Sequence, residues 1–273
     1  KAGHSKVRNK RRQQLNYQLK RSQAAAFAVS NGKPDQIHIL QGGSIETPLD
    51  EVNPGFLSLF SGSEKLSSVT NKKSGRREEL AQWITDKDNP LTSRVIVNRI
   101  WQWHFGQALA GNPNNFGGTG KKPTHPELLD WLAQKFMDED WSFKKLHRII
   151  LDSSVYQRST KHPEPKNLAR LDPKGVSYSV FSPRRLSAEE LRDSMLFVSG
   201  ELNLSVGGIP CHPEINDEVA MQPRHIMGSV GPAYQADPLP SQRNRRTLYA
   251  ERIRTLADPM LETFNKPGPD TSC

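Results

Sequence analysis

Apolar residues recur at helical spacing through the middle of the chain. The longest such pattern follows Asn89 and Pro90, which suit the cap and the first turn of a helix. Arg94, Asn98 and Gln102 recur there every fourth position as one polar stripe. The rest of the circumference is apolar, with Leu91, Val95, Ile96, Ile100, Trp101 and Trp103. The pattern predicts a helix that begins at Asn89-Pro90 and lies at the centre of the fold.

Capping signals mark three further helices. Thr124 and Glu127 have the spacing of a capping box ahead of an apolar stripe. Ser142 suits the N-cap of the next helix. Ser187 and Glu190 form a second capping box. Together these signals predict helices that begin near residues 125, 143 and 188.

The fold class that follows is mainly α. Leu80, Trp83 and Ile84 repeat at helical spacing, and the run from Ile37 to Leu40 is the clearest strand signal. Hydrophobic residues make up 34% of the chain, which also contains 20 prolines and 19 glycines, so a dense layered sandwich is not expected. We expect an irregular helical domain with long ordered loops and at most a few short strands.

The chain divides by composition into a tail and a domain. Residues 1–35 are expected to form a basic connector or tail, with a helix through Gln13 to Val29, and residues 36–273 a helical domain. Ser61 to Gly75 is a polar stretch expected to be a mobile insertion. No apolar run approaches the roughly 20 residues that span a bilayer, so no transmembrane segment is predicted. Because the chain starts at Lys1 without a methionine, we expect a fragment of a longer protein.

The net charge of +9 would suit an anionic partner such as a phosphate backbone, an acidic surface or a sulfated polymer. Part of this charge lies in the N-terminal run from Lys6 to Arg12. Such runs are common in solvated tails, which is the interpretation that we favour for this one. The charge therefore suggests a class of partner without identifying it.

Several motifs in the same order closely resemble the planctomycete-specific domain family, a domain of unknown function. They are Asn53–Phe56, Asn89–Gly106, Asn112–Gly117, Pro123–Leu132, Trp141–Arg148, Ser153–Tyr156, Arg184–Asp193, Gly207-Gly208, Asn244–Arg246 and Ser272-Cys273. The resemblance implies the C-terminal module of a large extracytoplasmic protein, in the periplasm or at the cell surface, with cytochrome-c-like domains elsewhere in the polypeptide. It also implies that the family pattern continues beyond Cys273. No reaction comes with the resemblance.

Sequence motifs for metal, haem or nucleophilic chemistry are weak. The histidines His104, His125, His147, His212 and His225 are scattered, and no two of them have the close spacing of metal ligands on one helix. A metal site built from distant segments stays open as an alternative, but we assign no metal or cofactor to this chain. There is no Cys-x-x-Cys-His, so haem is expected only in a neighbouring domain.

The two cysteines give no clear chemistry either. A disulfide between Cys211 and Cys273 cannot be assigned from sequence. Cys211 and His212 are adjacent, an arrangement that seldom lets a base face a thiol, and no orienting acid is evident in the sequence.

Arginine and its polar neighbours supply the candidate functional surface. Guanidinium groups recognise carboxylate, phosphate and sulfate with paired hydrogen bonds. A structural alternative is that these arginines bridge acids such as Asp130, Glu190 and Asp193 or cap helix ends. The candidate residues are Arg94, Asn98, Arg99, Gln102, His104, His125, Arg184, Arg185, Arg245 and Arg246.

Two functional hypotheses follow. The first is a noncatalytic accessory or interaction domain that binds an anionic polysaccharide or a cytochrome-c-like domain of the same polypeptide. The alternative is an enzyme, redox-linked or hydrolytic and acting in polysaccharide breakdown, whose site uses Arg94, Asn98, His104 and His125. Nucleic-acid binding ranks last, because no helix-turn-helix, zinc-finger or RNA-binding signature occurs.

Overall fold

The structure is a computed structural model. It describes residues 35–56, 75–221, 224–226, 229–231, 234–253, 256 and 258–268, and positions 5, 8, 9, 12, 15, 16 and 19 near the N-terminus. The predicted helix from Gln13 to Val29 and the predicted insertion from Ser61 to Gly75 lie largely outside the described residues. Contacts group the chain into two units, which we call the central unit (29–184) and the composite unit (1–28 with 185–273). The predicted division into a tail and one domain stays a prediction.

The central unit begins with a small hairpin and continues as helices. Strands β1 (His38–Leu40) and β2 (Pro48–Glu51) pair antiparallel, with His38 opposite Glu51 and Leu40 opposite Pro48. A short 3-10 turn, Gln41–Gly43, lies between them. The helices are α1 (Arg76–Thr85), α2 (Thr92–Phe105), α3 (Pro126–Asp138), α4 (Phe143–Leu151) and α5 (Pro165–Leu171).

The composite unit combines short helices with long loops. Its helices are α6 (Ala188–Val198), α7 (Asp217–Ala220), α8 (Pro240–Arg243) and α9 (Pro259–Thr263), with a 3-10 turn at Thr247–Tyr249 and a hairpin of β3 (Arg224–Ile226) and β4 (Ser229–Gly231). Isolated parallel bridges join Asn203 to Arg245 and Cys211 to Ala250. The described residues are thus mainly helical with a few short strands, which confirms the predicted fold class.

One hydrophobic core organises the central unit. Its buried side chains come from α2, α3 and α4 and from two positions outside these helices: Val97, Ile100, Trp101, Phe105, Leu129, Leu132, Phe136, Leu146, Ile150, Leu109 and Tyr178. Burying each large apolar side chain contributes roughly 1.5–3 kcal/mol, so this cluster dominates the unit's stability. Helix α2 is central, as its apolar circumference predicts.

Helix α2 begins later than its sequence indicates. The side-chain oxygen of the buried Asn89 accepts hydrogen bonds from the amides of Leu91 and Thr92, at 3.0 and 3.4 Å. Asn89 therefore closes the turn through Pro90 and Leu91 that leads into the helix, whose N-cap is Leu91 and whose first residue is Thr92 instead of Pro90. At the other end Gly106, with a φ of 74°, terminates the helix in a left-handed conformation that suits glycine.

The other capping predictions had mixed outcomes. The capping box of Ser187 and Glu190 is present, and Ser142 accepts a hydrogen bond from the amide of Lys145. The predicted box at Thr124 is wrong. The amide and hydroxyl of Thr124 both donate to the carbonyl of Leu109, so that this side chain ties a loop to the helix start instead of capping it.

The tryptophans of α2 and α3 differ in burial. Trp101 is buried, whereas Trp103 and Trp131 are 59% and 54% exposed. The apolar circumference of the α2 sequence therefore overestimates the burial of Trp103.

Candidate functional site

The predicted polar stripe on α2 does not present one surface to solvent. Arg94 forms an ion pair with Asp130 of α3, with 2.6 Å between the guanidinium Nε and the carboxylate oxygen, and also donates to the carbonyl of Pro90. Asn98 is completely buried. Its amide nitrogen donates to the carbonyl of Ala110 at 3.0 Å, and its oxygen accepts from the amide of Ala110 at 2.8 Å. Asn98 therefore fixes the loop that leaves α2 and offers no free polar atom to a ligand.

The neighbouring candidates on α2 also make local contacts. Arg99 donates to the side-chain oxygen of Asn114 at 2.6 Å. Gln102 is half-buried, and its backbone carbonyl accepts the amide of Gly106 at the helix end. These contacts stabilise the loop after α2.

His104 pairs with a histidine from another helix. Its Nε2 lies 2.8 Å from Nδ1 of His147 in α4, and the two rings meet at 64°. The ring of Tyr156 packs edge-on against His104 with 5.6 Å between centroids. Burial, and then the neighbouring His147, lower the pKa of His104 below its usual value of 6.5. A hydrogen bond between the two facing nitrogens needs a proton on one of them and a lone pair on the other.

His125 has a different environment. It lies just before α3, half-buried, with Nδ1 3.0 Å from the hydroxyl of Thr124. Its ring packs against Tyr178 at 5.7 Å between centroids. These contacts belong to the start of α3, and the contacts of His104 belong to the α2–α4 pair.

The remaining candidate arginines are distributed over both units. Arg184 is exposed in the central unit and its side chain passes close to Gly106, whereas Arg185, also exposed, belongs to the composite unit. Arg246 is half exposed and lies 3.8 Å from the carboxylate of Asp193. Each of these arginines has an interaction partner.

Arg245 is buried, and its side chain holds the loop of residues 203–211 in place. Its guanidinium donates to the carbonyls of Ser205, Gly207 and Ile209 and lies 4.4 Å from the centre of the Tyr249 ring. A cation held by three carbonyls and an aromatic face organises the 203–211 loop. Both Nη atoms are occupied by these carbonyls, whereas the buried Nε has no hydrogen-bond partner among the described residues.

Sequence reasoning missed a buried polar network in the composite unit. Arg192 of α6 donates to the carbonyls of Arg243 and Arg245 and to the hydroxyl of Thr247. Asp193 accepts both the amide and the hydroxyl of Thr247, at 2.7 and 2.6 Å. The motif that contains Arg192 and Asp193 was visible, but its partners lie more than fifty residues away along the chain.

The adjacent Cys211 and His212 are also structural. Burial raises the pKa of the Cys211 thiol, against the opposing effect of nearby arginines. The ring nitrogens of His212 face the carbonyl of Gln235 and the carboxylate of Glu251, and its amide donates to Asp237. Because both ring nitrogens are engaged, His212 has none free to activate the thiol.

A cavity of about 700 Å³ in the composite unit borders these residues. Cys211, Asp237 and Arg245 line it together with apolar side chains that include Ile209 and Leu19. The polar lining is mostly committed to internal bonds, since Arg245 binds carbonyls and Asp237 accepts the amide of His212. The cavity offers an apolar surface more than a set of reactive groups.

A basic concavity of about 790 Å³ lies beside α5 in the central unit. Lys161, His162 and Lys174 line it, and α5 itself carries Lys166 and Arg170. Among the described residues, no carboxylate forms an ion pair with these lysines or with Arg170. We call this concavity and helix, residues 160–182, the basic groove.

The acids of the basic groove are bound internally. Asp172 accepts hydrogen bonds from the amides of Val176 and Ser177 and from the hydroxyl of Ser177. The bonds from Ser177 hold the pKa of Asp172 below its ordinary value. Glu164 accepts from the side chain of Asn167 at 2.5 Å. The lysines of the groove are exposed, as is Glu164, whereas Asp172 is half-buried.

Two absences concern only the part of the chain that the structure describes. No described helix is both long and apolar enough to cross a membrane. No group of three or more His, Cys, Asp or Glu side chains in that part is arranged to hold a metal ion.

A family comparison identifies the chain. The model of the PSD1 family, described as proteins of unknown function (DUF1553), matches residues 76–273. The chain belongs to the PSD1 family. This confirms the family predicted from the motifs. No curated protein and no solved structure matches the chain.

The PSD1 segment contains every candidate residue named from the sequence, together with His147 and the basic groove. Family membership supplies no reaction, so functional arguments depend on the geometry of the side chains. That geometry distinguishes a pair of facing histidines, a set of structural arginines and a groove of exposed lysines.

Proposed function

We propose that this PSD1 chain is a noncatalytic interaction domain that binds an anionic polysaccharide, such as a sulfated one, through the basic groove. The observation that carries the proposal is the set of exposed bases around α5. Residues 160–175 contain Lys161, Lys166, Arg170 and Lys174 against two acids, Glu164 and Asp172. Among the described residues, none of the four bases forms an ion pair with an acid. All four are exposed, so their charges can interact with a ligand in solution.

The shape of the groove supports an extended ligand. Leu168 and Pro173 add apolar surface between the charges, and Thr160 and Ser182 add hydroxyls. A sugar ring offers both an apolar face and hydroxyl groups, and a sulfate or carboxylate on it would meet the lysines. Lysine binds such groups as a point charge without fixed geometry, which suits a polymer of variable substitution.

The state of the predicted candidates supports a noncatalytic role. Asn98 is buried with both polar atoms bonded, Arg94 pairs with Asp130, and Arg245 is held by carbonyls. A catalytic site needs groups that can reach a substrate. These contacts are those of a scaffold.

The setting of the domain is part of the same proposal. The family resemblance supports an extracytoplasmic location, in the periplasm or at the cell surface, within a larger polypeptide. Other domains of that polypeptide, including cytochrome-c-like ones that carry haem, are the proposed neighbours. In this arrangement the PSD1 domain would hold its polypeptide at a polysaccharide.

The contacts of its residues argue against the enzyme alternative, but an activity assay can still test it. Its residues Arg94, Asn98, His104 and His125 make separate structural contacts, and Asn98 offers no polar atom to a substrate. Turnover of a sulfated polysaccharide by the chain, with loss of that turnover in Arg94→Ala and His125→Ala variants, would restore this alternative over the noncatalytic one.

The proposal is tested by measuring affinity for heparin, used as a sulfated polysaccharide, by isothermal titration calorimetry at low salt. We expect the double variant Lys161→Glu/Lys174→Glu to bind at least about tenfold more weakly, because it changes the charge of the groove by four. The matched control is Lys121→Glu/Lys122→Glu, which reverses two exposed lysines of the central unit outside the groove.

Three results would contradict the proposal. They are no heparin binding at low salt, equal losses in the groove and control variants, and tighter binding to single-stranded DNA than to heparin at the same salt concentration. Unsulfated dextran serves as the neutral reference and is expected not to bind.

A further inference from the structure

The facing imidazoles of His104 and His147 have the chemistry of a metal site. One nitrogen of each ring points at the other across 2.8 Å, and the rings are steeply inclined instead of stacked. In a metal-free pair, a proton on one nitrogen is bonded to the lone pair of the other. A metal ion can replace that proton and accept both lone pairs.

The distance is close to what a metal requires. Zinc binds histidine nitrogen at about 2.0–2.1 Å, so two imidazoles in a tetrahedral shell have nitrogens about 3.3 Å apart. The observed 2.8 Å needs an opening of only about 0.5 Å, which side-chain rotation of two half-buried rings can supply. The ring that donated the proton loses it from the facing nitrogen and takes one up on its other nitrogen, so the neutral pair loses no proton on binding.

The surroundings fit a transition metal better than calcium or magnesium. Rings of Phe105 and Tyr156 contact His104. The ligands are neutral nitrogens, which favour zinc, copper and nickel, whereas calcium and magnesium favour oxygen. Since no third His, Cys, Asp or Glu completes a set among the described residues, solvent would fill the remaining positions.

We propose that His104 and His147 form a binding site for one divalent transition-metal ion of the zinc class, held between α2 and α4 with solvent as the remaining ligands. This site is separate from the basic groove and does not depend on polysaccharide binding. Two protein ligands instead of four imply weaker binding than at a structural zinc site.

The test is titration of the untagged chain with Zn²⁺ in calorimetry at pH 7.5, with Mg²⁺ as the hard-cation control. We expect one Zn²⁺ to bind per chain and Mg²⁺ not to bind. The variants His104→Gln and His147→Asn keep a polar atom near the lost Nε2 and Nδ1 and so preserve a hydrogen bond, but they remove one imidazole each. Each is expected to weaken Zn²⁺ binding by about tenfold or more.

The control is His38→Asn, which changes a histidine of β1 that contacts the carbonyl of Leu49. It is expected to leave Zn²⁺ binding unchanged. Circular dichroism confirms that each variant is folded, and the second variant serves if one does not fold. The proposal is overturned if the wild-type chain binds no Zn²⁺, or if His104→Gln and His147→Asn bind it as tightly as the His38→Asn control does.

Discussion

The carboxylate of Asp172 closes the turn that follows α5. Two amides and one hydroxyl donate to it, and the hydrogen bonds from Ser177 are the largest cause of its lowered pKa. The ionised form is therefore bound more strongly in the folded chain than in the unfolded chain. That difference links the turn's contribution to stability with pH.

The sign of this linkage gives a prediction. Because the folded pKa of Asp172 lies below the unfolded value of 3.8, its stabilisation is present above pH 3.8 and is lost as the pH falls through the folded pKa. We expect Asp172→Asn to lower the urea midpoint at pH 7, and this deficit relative to wild type to shrink steadily towards pH 2. The exposed Asp50→Asn is the control. A deficit that stays constant with pH would contradict the assignment.

Residue types alone could not reveal how the candidate side chains are used. Arg94, Arg245 and the exposed lysines of the basic groove are all basic, yet Arg245 is buried and bonded to three carbonyls, whereas the lysines face solvent. Burial follows from contacts between distant segments, which no local pattern contains. His104 shows the same limit, since its partner His147 is 43 residues away.

At the level of elements, helices were more predictable than their ends. Apolar spacing located α2, α3, α4 and α6, because a buried helix face repeats within one segment. Thr124 and Ser187 have equivalent capping motifs, but only Ser187 caps its helix. The side chain of Thr124 instead bonds to the carbonyl of Leu109, which lies fifteen residues earlier in the chain and is not part of the local capping motif.

The 203–211 loop depends on one side chain, which gives an element-scale prediction. Removing the three hydrogen bonds of Arg245 in Arg245→Met should loosen this loop, since charge-assisted bonds contribute about 1.5–3 kcal/mol. We expect amide exchange at Asn203 and Cys211, which bond to Asn244 and Tyr249, to accelerate roughly tenfold or more.

Hydrogen–deuterium exchange measured by mass spectrometry checks that expectation. Arg246→Met is the matched control, because it removes an adjacent arginine that is half exposed. Equal exchange in the two variants would show that Arg245 does not hold the loop. Tryptophan fluorescence is not a suitable probe, since all five tryptophans lie between Trp83 and Trp141 in the central unit.

At the scale of the whole molecule, the chain is a mainly helical PSD1 domain. Its core is built by α2, α3 and α4, while the composite unit relies on buried arginine and carboxylate contacts. These buried contacts stabilise the fold. Recognition of a ligand therefore depends on side chains that are exposed at the surface. We assign recognition to the basic groove because its bases outnumber its acids by four to two and its surface is concave.

The most direct measurement of this claim is hydrogen–deuterium exchange of the whole chain with and without a saturating heparin oligosaccharide at low salt. We expect slower exchange of backbone amides within residues 160–182, and little change at the amides around Arg94, Arg99 and Arg245. Protection centred on those arginines, or no protection within residues 160–182 while heparin is bound, would contradict it.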